Sequence, residues 1–449
     1  MSHYRRRGPL AFGLVASALA ILFGVDWAQG QVAQLGNSKE LKEQYDKISA
    51  ELNLTINNAD KKKTFRADLL DTGAQYWVYR VTWPSVLEAK VDPAKLDPML
   101  QHLKDFNGHI KRIVDAKAQT QDPAFANAYS PVLVTRFREL TNMNVVANPR
   151  ALSIGLQMLP ALAKLQTEGI SDYLVELIDP DKGKHDVVKL WAIRALREYM
   201  PVETWGEPFD STLLQNKPKM ARKKGDEARI DVLTRFILRP LPANATAEEI
   251  GAYRYLRKEA LETLGMAGAP AVAAIGALGK VDGPVAPLLV QVLIPKNVMP
   301  ETTLLERNEA ALGLCNMNPK ALEKYEPAAA YHYIGSTLAE LGTAYNADFP
   351  NFVKTDDTRR PPPLPWRITM KRWEQAAGKL VKNSNKDKRA AALEERVKNM
   401  VKAVLDPKTP TTINPRDIAE LIKLEAAPTE SFFLFKNVVK SPELKIPTE

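Results

Sequence analysis

At 449 residues the chain is long enough for two or three domains or for one elongated array, and a composition 45% apolar and 26% charged excludes a wholly disordered polymer. Aromatics are only 7%, with alanine and leucine carrying much of the apolar content, which argues for helix-on-helix packing over a β-sandwich. The net charge of +9 is too mild over this length to single out nucleic acid, and the one cysteine, Cys315, excludes an intrachain disulfide, so packing must supply the stability.

Residues 1–30 stand apart. Arg5–Arg7 form a positive start, Leu10–Val25 carries no charge, and Ala28 and Gly30 are small residues placed for cleavage after Gly30. This plan predicts a secretory signal peptide, with an uncleaved membrane anchor as the alternative because the apolar run falls just short of a span. Under either reading the arginines stay cytoplasmic and the body is exported, periplasmic or extracellular. No other segment is apolar enough to cross a bilayer.

Residues 31–145 read as an N-terminal helical region. Asn37 followed by Glu40 resembles a capping box opening a helix through "KELKEQYDKISAEL". "FRADLLDTGAQYWVYRVTW", closed by Pro84, is ambiguous at its end. Trp77, Tyr79, Val81 and Trp83 alternate as in a strand, whereas Tyr76, Tyr79, Arg80 and Trp83 share a helical face. No second strand-like run lies nearby to pair with it, so helix is favoured. Further helices are predicted at 96–118, 129–143, 149–166 and 170–178.

Residues 146–347 carry a loose repetition with a predicted insertion at 201–250. "RALSIGL", "WAIRALR", "EALETLG" and "EAALGLC" place Ala151, Ala192, Ala260 and Ala310 in equivalent apolar settings at irregular intervals. Val188, Trp191, Ala192, Ala195, Leu196 and Tyr199 fall on one helical face, as do Leu256, Ala260, Leu261 and Leu264. Gly265 and Gly268 suit a turn, Pro270 suits the start of a second helix burying Val272, Ile275 and Leu278, and another helix is predicted from Pro284 with Val285, Leu288, Leu289, Val292 and Leu293 inward. A hairpin of this size exposes an apolar stripe that only a stacked neighbour can cover.

"RKEALETLGMAGAPAVAAI" resembles a short HEAT-like repeat, and the units at 188–200 and 305–325 are similar to it in their first helix. The resemblance implies an α-solenoid that binds other macromolecules along one face, and it brings no catalytic residues with it. The expected fold is therefore all-α, an irregular α-solenoid of stacked helical hairpins of HEAT or armadillo type flanked by helical N- and C-terminal regions. A proline-rich linker at 348–366 then leads to a C-terminal helical cap, 367–449, with helices at 368–382, 389–405 and 415–426 and a loose tail after Pro442.

Several short patterns invite chemistry, and each has a plainer reading. His102, Asp105 and His109 share a helical face with ligand types that suit zinc, but the metalloprotease signature is absent and two solvent-facing histidines are the expectation. "DPDKGKHD" at 179–186 fails as a calcium loop because Gly183 and Leu190 occupy ligand positions, leaving a capped connection between helices. Gly279–Lys280 fails as a phosphate loop, with Ala274 and Val281 at its required positions. Cys315 sits on an apolar face as a buried hydrophobe would. Glu394 and Glu395 lie among basic residues as on a solvated face, and Pro361–Pro365 reads as a stiff spacer. Tyr76, Trp77, Tyr79 and Trp83 read as core in preference to a sugar-stacking platform.

The most charged loop holds Lys217, Lys219, Arg222, Lys223 and Lys224, a candidate docking point for an anionic partner that a flexible solvated loop would equally explain. The function expected is an exported, non-catalytic scaffold or adaptor that binds a protein or an anionic envelope polymer along a solenoid face, with nucleic acid disfavoured by the location. An envelope-polymer hydrolase with a site near His102 and Asp105, and a membrane-tethered structural protein, are the alternatives. No cofactor or metal is implied.

Overall fold

The computed structural model describes residues 35–57, 64–87, 97–120, 122–142, 148–200, 221–266, 285–316, 327–352, 362–384, 387–406 and 410–425. Among them every regular element is a helix and none is a strand. No helix of these residues is long and apolar enough to cross a membrane. The segment at 1–30 and the second helix expected at 271–278 lie outside the described residues.

The first group comprises α1 (Ser38–Asn57), α2 (Ala67–Tyr79), the short α3 (Pro84–Leu87), α4 (Pro98–Thr120) and α5 (Ala124–Leu140). Asn37 opens α1 by accepting from the Lys39 and Glu40 amides at 3.2 and 3.3 Å, while the Glu40 carboxylate accepts from Gln44. The ambiguous aromatic segment is helical through Tyr79 and then tightens into a 3-10 turn, Arg80–Thr82. Leu69, Leu70, Ala74, Trp77 and Val78 follow the helical period into the core. Gly73 allows the close packing of α2 on α1 and α5, since a Cβ there would lie 3.0 Å from Leu52 and 3.3 Å from the Tyr129 hydroxyl.

The middle of the chain forms α6 (Pro149–Gln157), α7 (Leu159–Ala163), α8 (Glu168–Ile178), α9 (Asp186–Tyr199), α10 (Ala221–Ile237) and α11 (Ala247–Gly265). A single helix was expected over 149–166. It divides at Met158 because Pro160 has no N–H to donate to the Leu156 carbonyl. From 221 onward the stretch expected as an insertion contains α10 and the first turn of α11, which Thr246 and Glu249 open with a reciprocal capping box. Then follow α12 (Val285–Leu293), α13 (Leu304–Cys315) with its own Thr303–Glu306 capping box, and α14 (Pro327–Asp348).

Two runs of contact order these helices. In one, α9 packs on α11, α11 on α13 and α13 on α15 (Leu364–Asn383); in the other, α8 packs on α10, α10 on α12 and α12 on α14. The pairs α8–α9, α10–α11 and α12–α13 join the two runs. The anchoring alanines Ala151, Ala192, Ala260 and Ala310 are all fully buried. Helices α11 and α13 meet backbone to backbone: a Cβ on Gly265 would come within 2.8 Å of the Gly313 Cα.

Contacts between α11 and α13 advance together, from Arg254–Glu301 through Arg257–Glu306 to Gly265–Gly313, so the two helices are parallel. Helix α15 shares that direction. Its first turn places Trp366 5.5 Å from Tyr345, near the end of α14, while Tyr331 at the start of α14 stacks under Arg389 just beyond the end of α15. Arg307 near the start of α13 pairs with Glu340 in the second half of α14, while Cys315 at the end of α13 lies by Tyr331 at the start of α14, so these two helices are antiparallel. The expected extended stretch at 348–366 thus ends inside a helix, since Pro365 loses no hydrogen bond in the first turn. Finally α16 (Lys388–Leu405) packs on α15, and α17 (Pro415–Ile422) rests on α14 and α16.

Candidate functional site

The strongest concentration of polar chemistry lies across α9, α11, α13 and α15; α9 is parallel to the other three, since its contacts with α11 advance together from Arg194–Tyr255 to Arg197–Thr263. Glu259 receives Arg194 at 3.2 Å and Arg197 at 2.7 Å, both from α9, while Arg197 also reaches Glu262 at 3.0 Å. Glu309 of α13 is clasped by both terminal nitrogens of Arg372 from α15, at 2.9 and 2.5 Å, and Arg372 lies 3.5 Å from Glu262. Beside it the Trp373 indole donates to Asn308 at 2.8 Å. One ladder of ion pairs therefore ties four helices edge to edge.

Burial and charge compete at its centre. Burial alone would raise the Glu259 pKa, but the Arg194 hydrogen bond and the charges of Lys258, Arg194 and Arg197 outweigh it and hold the carboxyl at about 2. The carboxylates of Glu259 and Glu309 are only 5% and 3% exposed, whereas Arg194, Arg197 and Arg372 are 29%, 22% and 33% exposed. The ladder therefore turns its guanidinium side outward.

On each of the four helices, an apolar or aromatic residue stands one turn before one of the ladder residues. Trp191 precedes Arg194 and lies under its guanidinium, 5.0 Å from the ring centre; Tyr255 precedes Glu259, Leu305 precedes Glu309 and Ile368 precedes Arg372. Leu305 and Ile368 are 53% and 50% exposed, and Tyr255 is held by an Arg194 hydrogen bond to its hydroxyl at 2.7 Å. Because the helices are parallel, these four side chains form a second, apolar row alongside the charged one.

The residues singled out from the sequence fall elsewhere. His102 and His109 do not face solvent as expected: both are fully buried, because the histidine face of α4 packs on Trp77 of α2 and Tyr129 of α5. His102 Nε2 lies 2.9 Å from the Trp77 carbonyl, and His109 stacks on Trp77 with ring centres 4.7 Å apart. Burial pushes both imidazoles down to about 3, with Arg80 adding to the effect at His102 and Arg112 at His109. Asp105 turns to Gln101 and Arg80, and no group of three or more metal-ligating side chains occurs among the described residues.

The 179–186 loop is a capped connection, as expected. Asp179 accepts from the Asp181 amide, Arg235 bridges both aspartates at 3.0 Å, and Gly183 takes a φ of 61°. Cys315 is buried and its thiol is pushed up to about 12, far from the thiolate a nucleophile needs. Glu394 pairs with Lys398 at 3.0 Å and Glu395 is exposed. Trp77, Tyr79 and Trp83 are core residues, and Tyr76 stacks on Tyr45 at 3.6 Å. Arg222, Lys223 and Lys224 belong to helix α10, while Lys217, Lys219, Gly279 and Lys280 lie outside the described residues.

Sequence reasoning missed the ladder because it assigned charged residues to solvated faces. One signal was present: glutamate directly precedes the anchoring alanine in two units, Glu259–Ala260 and Glu309–Ala310. A residue adjacent to a buried alanine stands at the rim of the packed stripe, where a carboxylate persists only if a neighbouring helix supplies its partner. No protein-family model, curated protein or solved structure matches the chain.

Proposed function

We propose that this chain is an exported α-solenoid scaffold that binds a macromolecular partner across the face formed by α9, α11, α13 and α15. The observation that carries the reading is the apolar row of Trp191, Tyr255, Leu305 and Ile368, laid across four parallel helices beside a ladder of ion pairs whose arginines are its more exposed members. Leu305 and Ile368, half open to water on neighbouring helices and in line with two aromatic rings, leave contiguous apolar area that a partner can cover. The signal-like start of the sequence and the HEAT-like hairpin support the exported and repetitive parts of the reading.

The test is site-specific photo-crosslinking of the full chain in envelope extract, with the reactive group at Leu305 and, as control, at Ile422 on α17. A discrete, saturable adduct from position 305 and none from position 422 is the expected result. Equal labelling at both positions, or no adduct at 305, would contradict the binding role.

A further inference from the structure

We infer that the partner segment is an acidic polypeptide carrying aliphatic or aromatic side chains along one edge; this rests on the binding role proposed above. The two rows ask for two different chemistries at fixed separation, one helical turn apart. Arg194, Arg197, Lys258 and Arg372 face three carboxylates, Glu259, Glu262 and Glu309, and the carboxylates are the more deeply covered partners.

What the face shows a visitor is therefore cationic. The Arg194 bonds run through Nε and Nη2, and the Arg372 bonds through Nη1 and Nη2. Arg194 Nη1 and Arg372 Nε donate to nothing among the described residues, so each guanidinium keeps donor capacity for an incoming carboxylate.

Leu305 and Ile368 decide the chemical class. A glycan or a polyphosphate has no aliphatic side chain to bury against two half-exposed branched residues, whereas a polypeptide supplies both carboxylates and aliphatic side chains along one segment. A basic segment would set its cations against the outward guanidiniums of Arg194, Arg197 and Arg372 and is repelled.

The experiment measures binding of the full chain by fluorescence anisotropy to four probes: a labelled peptide alternating glutamate and leucine, its counterpart with lysine for glutamate, one with serine for leucine, and phosphatidylglycerol vesicles. The glutamate–leucine peptide is expected to bind, and to bind more weakly as salt rises. Leu305→Asp with Ile368→Asp should weaken it about tenfold or more, Ile422→Asp should leave it unchanged, and all these proteins should keep the wild-type melting temperature.

The inference is overturned if the lysine–leucine peptide binds as well, if the vesicles bind while no peptide does, or if the double substitution leaves the affinity unchanged. Absence of peptide binding alongside a persisting adduct at Leu305 removes the acidic-peptide class and leaves the binding role standing. Loss of both removes both.

Discussion

The Arg257 guanidinium donates through Nε to the Glu306 carboxylate at 2.5 Å, with both side chains sealed from water at 0% and 1% exposure. Glu306 is at once the partner of a buried cation and the closing member of the Thr303 capping box that starts α13. Arg257 also donates to the Pro300 carbonyl at 2.7 Å, so one residue of α11 fixes both the first turn of α13 and the chain that leads into it. A buried pair of this kind is held by mutual dependence, since either charge left alone has no solvent to turn to.

Arg257→Ala is expected to destabilise the protein by about 3–5 kcal/mol, because it strands the Glu306 carboxylate in the interior. The paired change Arg257→Met with Glu306→Leu should recover part of that loss, with the lost Thr303 cap keeping it below wild type. Urea unfolding of the three proteins checks both statements.

Glu259 makes the ladder sensitive to acid. Its carboxyl is held at about 2 in the fold against an ordinary 4.5, so the unfolded chain binds the proton first. The stabilisation it brings is complete above about pH 4.5 and is lost as pH falls from there toward 2; at neutral pH it amounts to about 3 kcal/mol. Glu259→Gln should lower the neutral-pH stability and flatten the acid limb of the stability profile.

His102 and His109 act in a higher window. Their imidazoles are depressed from 6.5 to about 3, so the folded protein holds them neutral while the unfolded chain protonates them. Stability from this source is full above pH 6.5 and declines as pH falls toward 3. Both His109 ring nitrogens are without a hydrogen-bond partner among the described residues, so His109→Leu forfeits no bond there and should move the acid-unfolding midpoint to lower pH.

The contact between α11 and α13 should tolerate no side chain. Gly265→Ala or Gly313→Ala forces backbone apart and is expected to cost about 1–3 kcal/mol or more. Gly108→Ala in α4 meets nothing within 4 Å and should instead stabilise by about 0.5–1 kcal/mol. Calorimetry on the three variants separates close approach from helix propensity.

How much of this was legible beforehand depended on whether the signal was periodic. Val188, Ala192, Ala195 and Leu196 on α9, and Leu256, Ala260, Leu261 and Leu264 on α11, were found because apolar burial imprints the helical repeat on the sequence. Alternation left the segment from Trp77 to Trp83 ambiguous, and helix was rightly favoured there: a helix and the 3-10 turn after it bury both rings within a few residues. The buried charges, Arg257, Glu259, Glu306 and Glu309, were illegible because pairing across helices is written in no single segment. The same holds for His102 and His109, polar by type yet placed where α4 meets Trp77 of α2 and Tyr129 of α5.

The internal pairs of the charged ladder hold the helices together, while the apolar row beside it anchors the partner, and one comparison separates the two roles. With a photo-crosslinker at Tyr255, adduct formation in envelope extract is measured for the otherwise unchanged chain and for Leu305→Asp with Ile368→Asp, alongside the melting temperature of each. Loss of the adduct at an unchanged melting temperature is the predicted result; an undiminished adduct in the double variant would contradict it.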